Sequence, residues 1–404
     1  MQRHTSGSGQ FFGRNLLRPA ASGIVLLSLL ATGYSANAAA ESKGRKGKSG
    51  QESPAPTVVV HSKFGGQIFG FDIDQAGNLG VLSEAMTISG GKSVAAVETF
   101  DQTTGQILKV ITRIQGHDDF LTWGVVAGGI GLLEHEHSFS LFHVKRTYPL
   151  LNPLSATTFN GLWTPPLDRN GLIQGISRNQ GTSQVAVYGF ENDSSFISFV
   201  FGSDVAANTF GPVVNITDAN FSFSHSPQIA LNTQTNQAVL AAQGNNAFGP
   251  PALALVDLTT GDITNFTGVG IGLVNGLAVD SNTQIACTTT EIDFSVEFYN
   301  LTTQAGFSVF LPGATNQAQS GADVQVDSIH RLFLVAQPVS STAASGSSIH
   351  VYDEHGHLVN SINGLNFSNA FNVVPAHIAI NPTNRSGFVD GPDQGVTSIQ
   401  SFTY

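Results

Sequence analysis

From Gln228 onward, apolar and polar positions alternate in short runs, and the runs come in sets of four. One set occupies residues 228–232, 237–244, 252–257 and 262–266; the next occupies 276–280, 284–290, 295–300 and 305–310. Each run is too short for a helix, alternates with period two, and is closed by Asn, Asp, Thr or Gly. That pattern predicts a four-stranded antiparallel meander, repeated.

The turn between the third and fourth strands marks the repeat. It reads Val256-Asp257-Leu258-Thr259-Thr260-Gly261, Phe100-Asp101-Gln102-Thr103-Thr104-Gly105 and Tyr299-Asn300-Leu301-Thr302-Thr303-Gln304, with a shorter version at Tyr352-Asp353-Glu354-His355-Gly356. An Asx side chain accepts hydrogen bonds from the turn's own N–H groups, and Gly adopts positive φ at little cost. The apolar residue before each first turn sets the period: Ile73, Val126, Ile176, Leu231, Val279, Val326 and Ile380, at intervals of 53, 50, 55, 48, 47 and 54 residues. A period near fifty with four strands per unit predicts an all-β, seven-bladed β-propeller with four-stranded antiparallel blades. An array of β-sandwiches is the alternative. Only 24 residues follow Ile380, enough for two more strands. The β-branched run 57–61 has no partner of its own, so the expectation is that this N-terminal strand completes the last blade and closes the ring.

Composition changes the picture only at the N-terminus. Residues 1–40 combine Arg3, Arg14 and Arg18 with the apolar run 23–30 and the small-residue site Ala36-Asn37-Ala38, the pattern of a cleaved secretory signal peptide. The apolar run is about half of what spans a bilayer, so no stable membrane insertion is expected. Residues 41–56 are rich in Lys, Gly, Ser and Pro and read as a flexible linker. Residues 57–404 form the propeller domain. The expected location is secreted or periplasmic, and the expected state monomeric.

Charge excludes one class of partner. After Arg178 there are two basic residues, Arg331 and Arg385, against sixteen Asp and Glu, a net of −14. Nucleic acid is therefore not an expected partner. The single cysteine, Cys287, rules out a disulfide framework and reads as core. The chain carries no Gly-x-Ser-x-Gly elbow, phosphate loop, dinucleotide fingerprint or haem-attachment motif.

Two groups of residues could carry chemistry. His135 and His137 alternate on one face of a strand with His143 nearby, a set suited to zinc or copper, or else a polar edge strand. Aligned repeats place Gln228, Gly276, Asp323 and His377 at the start of inner strands, with His225 and Asn275 close by in their loops. Polar groups there would converge on a central channel, to bind a ligand or only to line water. Asp323 and His377 fall on adjacent blades, and as lining residues they are expected to carry little of the fold. No cofactor is called for; a channel-bound divalent cation is the addition such a lining allows. The loops 244–251 and 338–348 are alternative binding sites.

The blade pattern, an inner strand ending in Asp or Asn and a later Asp-x-Thr-Thr-Gly turn, resembles NHL- and YVTN-type propellers over residues 57–404. That resemblance implies a binding or interaction scaffold for a protein, peptide, small molecule or saccharide. It also implies an alternative, a lactonase-like hydrolase at the channel mouth. Gluconolactonase-like relatives hold a cation with an acid–Asn–Asp set, of which Asn275 and Asp323 would be two members.

Overall fold

A computed structural model of the chain describes residues 58–404 apart from 75–77, 88–92, 113–123, 128–129, 134–147, 152–158, 164–170, 179–181, 192–196, 205–206, 208, 222–226, 245–248, 291, 340–344, 368–375 and 391–397. The expected leader and linker lie outside these residues. Residues 58–404 belong to one compact unit. No helix among the described residues is long and apolar enough to cross a membrane.

The chain is all-β and antiparallel. A first sheet holds β2 (Gln67–Ile73), β3 (Leu79–Thr87), β4 (Ser93–Asp101) and β5 (Ile107–Thr112). The next holds β6 (Gly124–Ala127), β7 (Ile130–Leu133), β8 (Tyr148–Leu151) and β9 (Phe159–Trp163). Then come β10 (Gly171–Arg178), β11 (Gln184–Glu191) and β12 (Ser198–Asp204), with both β13 (Thr209–Phe210) and β14 (Val214–Ile216) paired to β12. Two regular meanders follow: β15 (Gln228–Asn232), β16 (Gln237–Ala242), β17 (Ala252–Asp257) and β18 (Ile263–Thr267), and β19 (Val274–Asp280), β20 (Ile285–Thr290), β21 (Ser295–Asn300) and β22 (Ala305–Phe310). Another holds β23 (Asp323–Asp327), β24 (Leu332–Gln337), β25 (Ser345–Asp353) and β26 (Leu358–Asn366). The final sheet joins β27 (Ile378–Asn381), β28 (Ser386–Asp390) and β29 (Ser398–Thr403) to β1 (Val59–His61).

The expectation of a seven-bladed ring closed by the N-terminal strand is overturned: the four-stranded blades number six, not seven, and the remaining sheet, from β10 to β14, is five-stranded, its outer edge split between β13 and β14. The split follows from sequence: Gly211 and Pro212 interrupt the outer run, and Gly211 N–H turns back to donate to Gly202 O at 2.8 Å. As for the termini, β1 pairs with β29 through Val59–Gln400, Val60–Ile399 and His61–Ser398. That completes one sheet, a narrower fact than closure of a ring.

The marker turns form as their chemistry predicts. Asp257 Oδ1 accepts from Thr259 N at 2.7 Å and Thr260 N at 2.8 Å, and Asp101 and Asn300 repeat the arrangement. Gly105 and Gly261 follow at φ +72° and +81°. In the first turn of five sheets, the residue just before or at the start of the second strand is also left-handed: Asn78, Asn236, Gln284, Arg331 and Arg385. These non-Gly positions share a backbone geometry that residue type alone does not announce.

The core is a series of layers between neighbouring sheets. One layer joins Tyr188 and Val200 to Leu240 and Val256; the next joins Val239 and Leu255 to Val279 and Tyr299; another joins Phe298 to Phe333 and Tyr352. Because both faces of a sheet are covered, second strands are buried almost throughout, as in β16 and β24, whereas the outer β18 and β22 are largely exposed.

A cavity at the inner strands

Each inner strand is the terminal strand of its sheet, so one row of its N–H and C=O groups has no partner there. Residues of β2, β10, β15, β19, β23 and β27 line a cavity of about 360 Å³. Its wall takes Asp72, Ser177, Gln228, Ser281, Asp323 and His377 among its polar groups.

The repeat alignment places its residues at one level. Gln228, Gly276 and Asp323 lie opposite Ala241, Thr289 and Ala336 of their second strands. His377 is held beside Asp390, donating its N–H to Asp390 Oδ1 at 2.5 Å and accepting from Asp390 N at 3.1 Å. Gly276 has to be glycine, because a Cβ there would come within 2.8 Å of Val324 N and 2.9 Å of the Asp323 Cα.

Asp323 and His377 come together on adjacent sheets, as the sequence suggested, but Asp323 is not a mere lining group. Its Oδ2 accepts from Ile378 N of β27 at 2.9 Å, and its Oδ1 from Val324 N at 2.7 Å. It therefore satisfies an amide of the next strand's free edge, which corrects the expectation that it carries little of the fold. Ser177 does the same for Leu231 N at 3.0 Å, and Ser281, just past β19, accepts from Thr233 N in the turn after the preceding inner strand at 3.0 Å. Burial raises the Asp323 carboxyl to about 6, against the lowering pull of His377 and of the two amides. His377 Nδ1 sits 3.5 Å from Asp390 Oδ1. Burial pushes its pKa down, but Asp390 and then Asp323 more than offset this, and the net direction is up.

The other candidates fare differently. Gln228 lies on the cavity wall. Asn275 is not among the cavity-lining residues; a bulge between Val274 and Gly276 turns it away, and its Nδ2 donates to Gly321 O at 2.9 Å. This bond stitches two neighbouring sheets together. His225, His135, His137 and His143 lie outside the described residues, as do 245–248 and 340–344 of the two long loops. Among the described residues no group of three or more His, Cys, Asp or Glu is placed to hold a metal ion. Cys287 is fully buried, its thiol pKa pushed up by burial and by the nearby Glu297. The sequence reading missed Asp72, Ser177 and Ser281. The anchor Ile176 is two residues out of register, since the polar Arg178 lies opposite the second residue of the neighbouring strand.

No protein-family model matches the chain. No curated protein matches it in sequence. Among solved structures, the WD40 domain of Pan2 from Neurospora crassa superposes with a TM-score of 0.57 at 13% identity, covering 88% of this chain and 97% of that one. Raptor from Chaetomium thermophilum superposes with a TM-score of 0.59 at 10% identity over 87% of this chain, which matches 29% of Raptor's length. The chain is thus a β-propeller with WD40-like structural neighbours; at these identities the likeness is one of fold.

Proposed function

We propose that this propeller is an extracytoplasmic binding scaffold whose ligand meets the inner strands in the central cavity. The observation that carries the reading is the convergence of Gln228, Asp323 and His377, from three different sheets, on one cavity. Cavities with a few convergent polar groups are where ligands bind. Secretion is supported by the leader pattern of residues 1–40, and an NHL/YVTN-type repeat by the Asx-x-Thr-Thr turns. WD40-like neighbours favour a protein or peptide partner over a purely enzymatic role.

A thermal-shift panel of short peptides, saccharides and lactones tests the site. A ligand is expected to raise the Tm of the parent protein but not that of a Gln228→Ala/His377→Ala double variant. Equal shifts in both proteins would move the site to the loops 244–251 and 338–348. Fractionation of cells expressing the full chain tests the location, and retention of the uncleaved chain in the cytoplasm would overturn it. The electrostatic coupling of Asp323 and His377 also suits acid–base chemistry, and lactone turnover that disappears in His377→Gln would favour the hydrolase reading.

A further inference from the structure

The cavity wall carries carboxylates and neutral polar groups but no permanently charged cation among the described residues. Its ionisable residues are Asp72, Asp323 and His377, and no Lys or Arg belongs to it among the described residues. The strand edges add to this. Three N–H groups in or just beyond these inner strands, of Leu231, Thr233 and Ile378, are already bonded to Ser177, Ser281 and Asp323. Capping the donors leaves a wall richer in acceptors, because each carbonyl and carboxylate oxygen has a second lone pair.

An anion would meet the carboxylates of Asp72 and Asp323, and the one basic group of the wall, His377, is already held between Asp390 and Asp323. A metal ion lacks a three-ligand set among the described residues. Phe71 is the single aromatic residue on the described wall, too little for the aromatic cage that a quaternary ammonium prefers. A primary ammonium has three donors and no acceptor, which complements this wall. The volume of about 360 Å³ lies at the small end of ligand pockets, roughly 300–1,000 Å³. The acidic body, net −14 after Arg178, would draw cations toward it.

We propose that the cavity binds a compact primary-amine cation, with the Asp323 carboxylate as its counter-ion and inner-strand carbonyls completing its hydrogen bonds. This rests on the cavity being the ligand site, and it adds the class of ligand.

Calorimetric titration of the purified chain with n-butylammonium, tetramethylammonium and butyrate tests it. Butylammonium is expected to bind with a Kd on the order of millimolar, as suits so small a ligand, and butyrate not to bind. Affinity at pH 5 should fall about tenfold from that at pH 8, because the Asp323 carboxyl titrates at about 6. Asp323→Asn, which keeps an acceptor for Ile378 N, should also lose about tenfold or more. Butyrate or tetramethylammonium binding as well as butylammonium would overturn the proposal on the parent protein alone, whatever the variant's stability. So would an Asp323→Asn protein that folds and keeps the parent affinity. If butylammonium fails while a member of the thermal-shift panel still depends on Gln228 and His377, the amine class falls and the cavity reading stands.

Discussion

Glu84 on β3 and Glu98 on β4 are both fully buried. Leu82 pairs with Glu98 and Glu84 with Ala96, so the two carboxylates sit diagonally on one face of the sheet. Above them lies the turn that leads into β2. Glu84 Oε2 accepts from Ser62 Oγ at 2.7 Å and from Gly66 N at 3.0 Å, and Glu98 Oε1 accepts from Phe64 N at 2.8 Å. Glu84 Oε1 has no partner among the described residues. Burial, resisted by Ser62 and Gly66 and reinforced by Glu98, raises the Glu84 pKa from 4.5 to about 7. A carboxyl raised in the folded state binds its proton more tightly there than in the unfolded chain. Its contribution is therefore complete below pH 4.5 and is lost as the pH rises through 7. At about 1.36 kcal/mol per pH unit, the loss is roughly 3 kcal/mol. Glu84→Gln keeps the acceptor for Ser62 and Gly66 and has no proton to lose. Urea unfolding of both proteins at pH 5 and pH 8 measures the effect. The parent should lose roughly 3 kcal/mol more than the variant across that interval, less the part already titrated at pH 5. Equal pH dependence in the two proteins would refute the reasoning.

Two further predictions concern other buried groups. Asp323→Ala orphans the N–H of Ile378 and should cost about 1–3 kcal/mol, whereas Asp323→Asn should cost less; equal melting temperatures for the two would show that the cap contributes nothing. Cys287 is buried with its thiol pKa raised, so a thiol reagent at pH 8 should label it only after unfolding; labelling of the native protein at the unfolded rate would contradict the burial.

What the sequence revealed depended on distance along the chain. The turns at Asp101, Asp257 and Asn300 are local: the carboxylate or amide and the amides it accepts from lie two and three residues apart, so their pattern was visible in a single strand of text. The four-stranded meander was visible for the same reason, whereas the count of seven blades was not borne out. The cap from Asp323 to Ile378 spans 55 residues, and nothing near Asp323 points to it. The Glu84–Glu98 pair was hidden differently, since two acids fourteen positions apart look like surface residues until register places them on one covered face. Bulges were the third blind spot. The one before Gly276 turned Asn275 from the cavity to a neighbouring sheet, and a polar anchor, Arg178, hid the register of β10.

The pairing of β1 with β29 bears on how the protein comes into being. Val58 N donates to Ser401 Oγ at 3.0 Å across a separation of 343 residues. Since β1 is synthesised long before β29, it must wait for that strand before its sheet is whole. Until then Val59 and Val60 offer an unpaired apolar edge, open to the wrong partner. Contacts of such long span slow the search for the native state. If the chain also crosses a membrane from its N-terminus, the wait is spent on the far side. Holding β1 out of trouble would then fall to chaperones of that compartment and not to those at the site of synthesis.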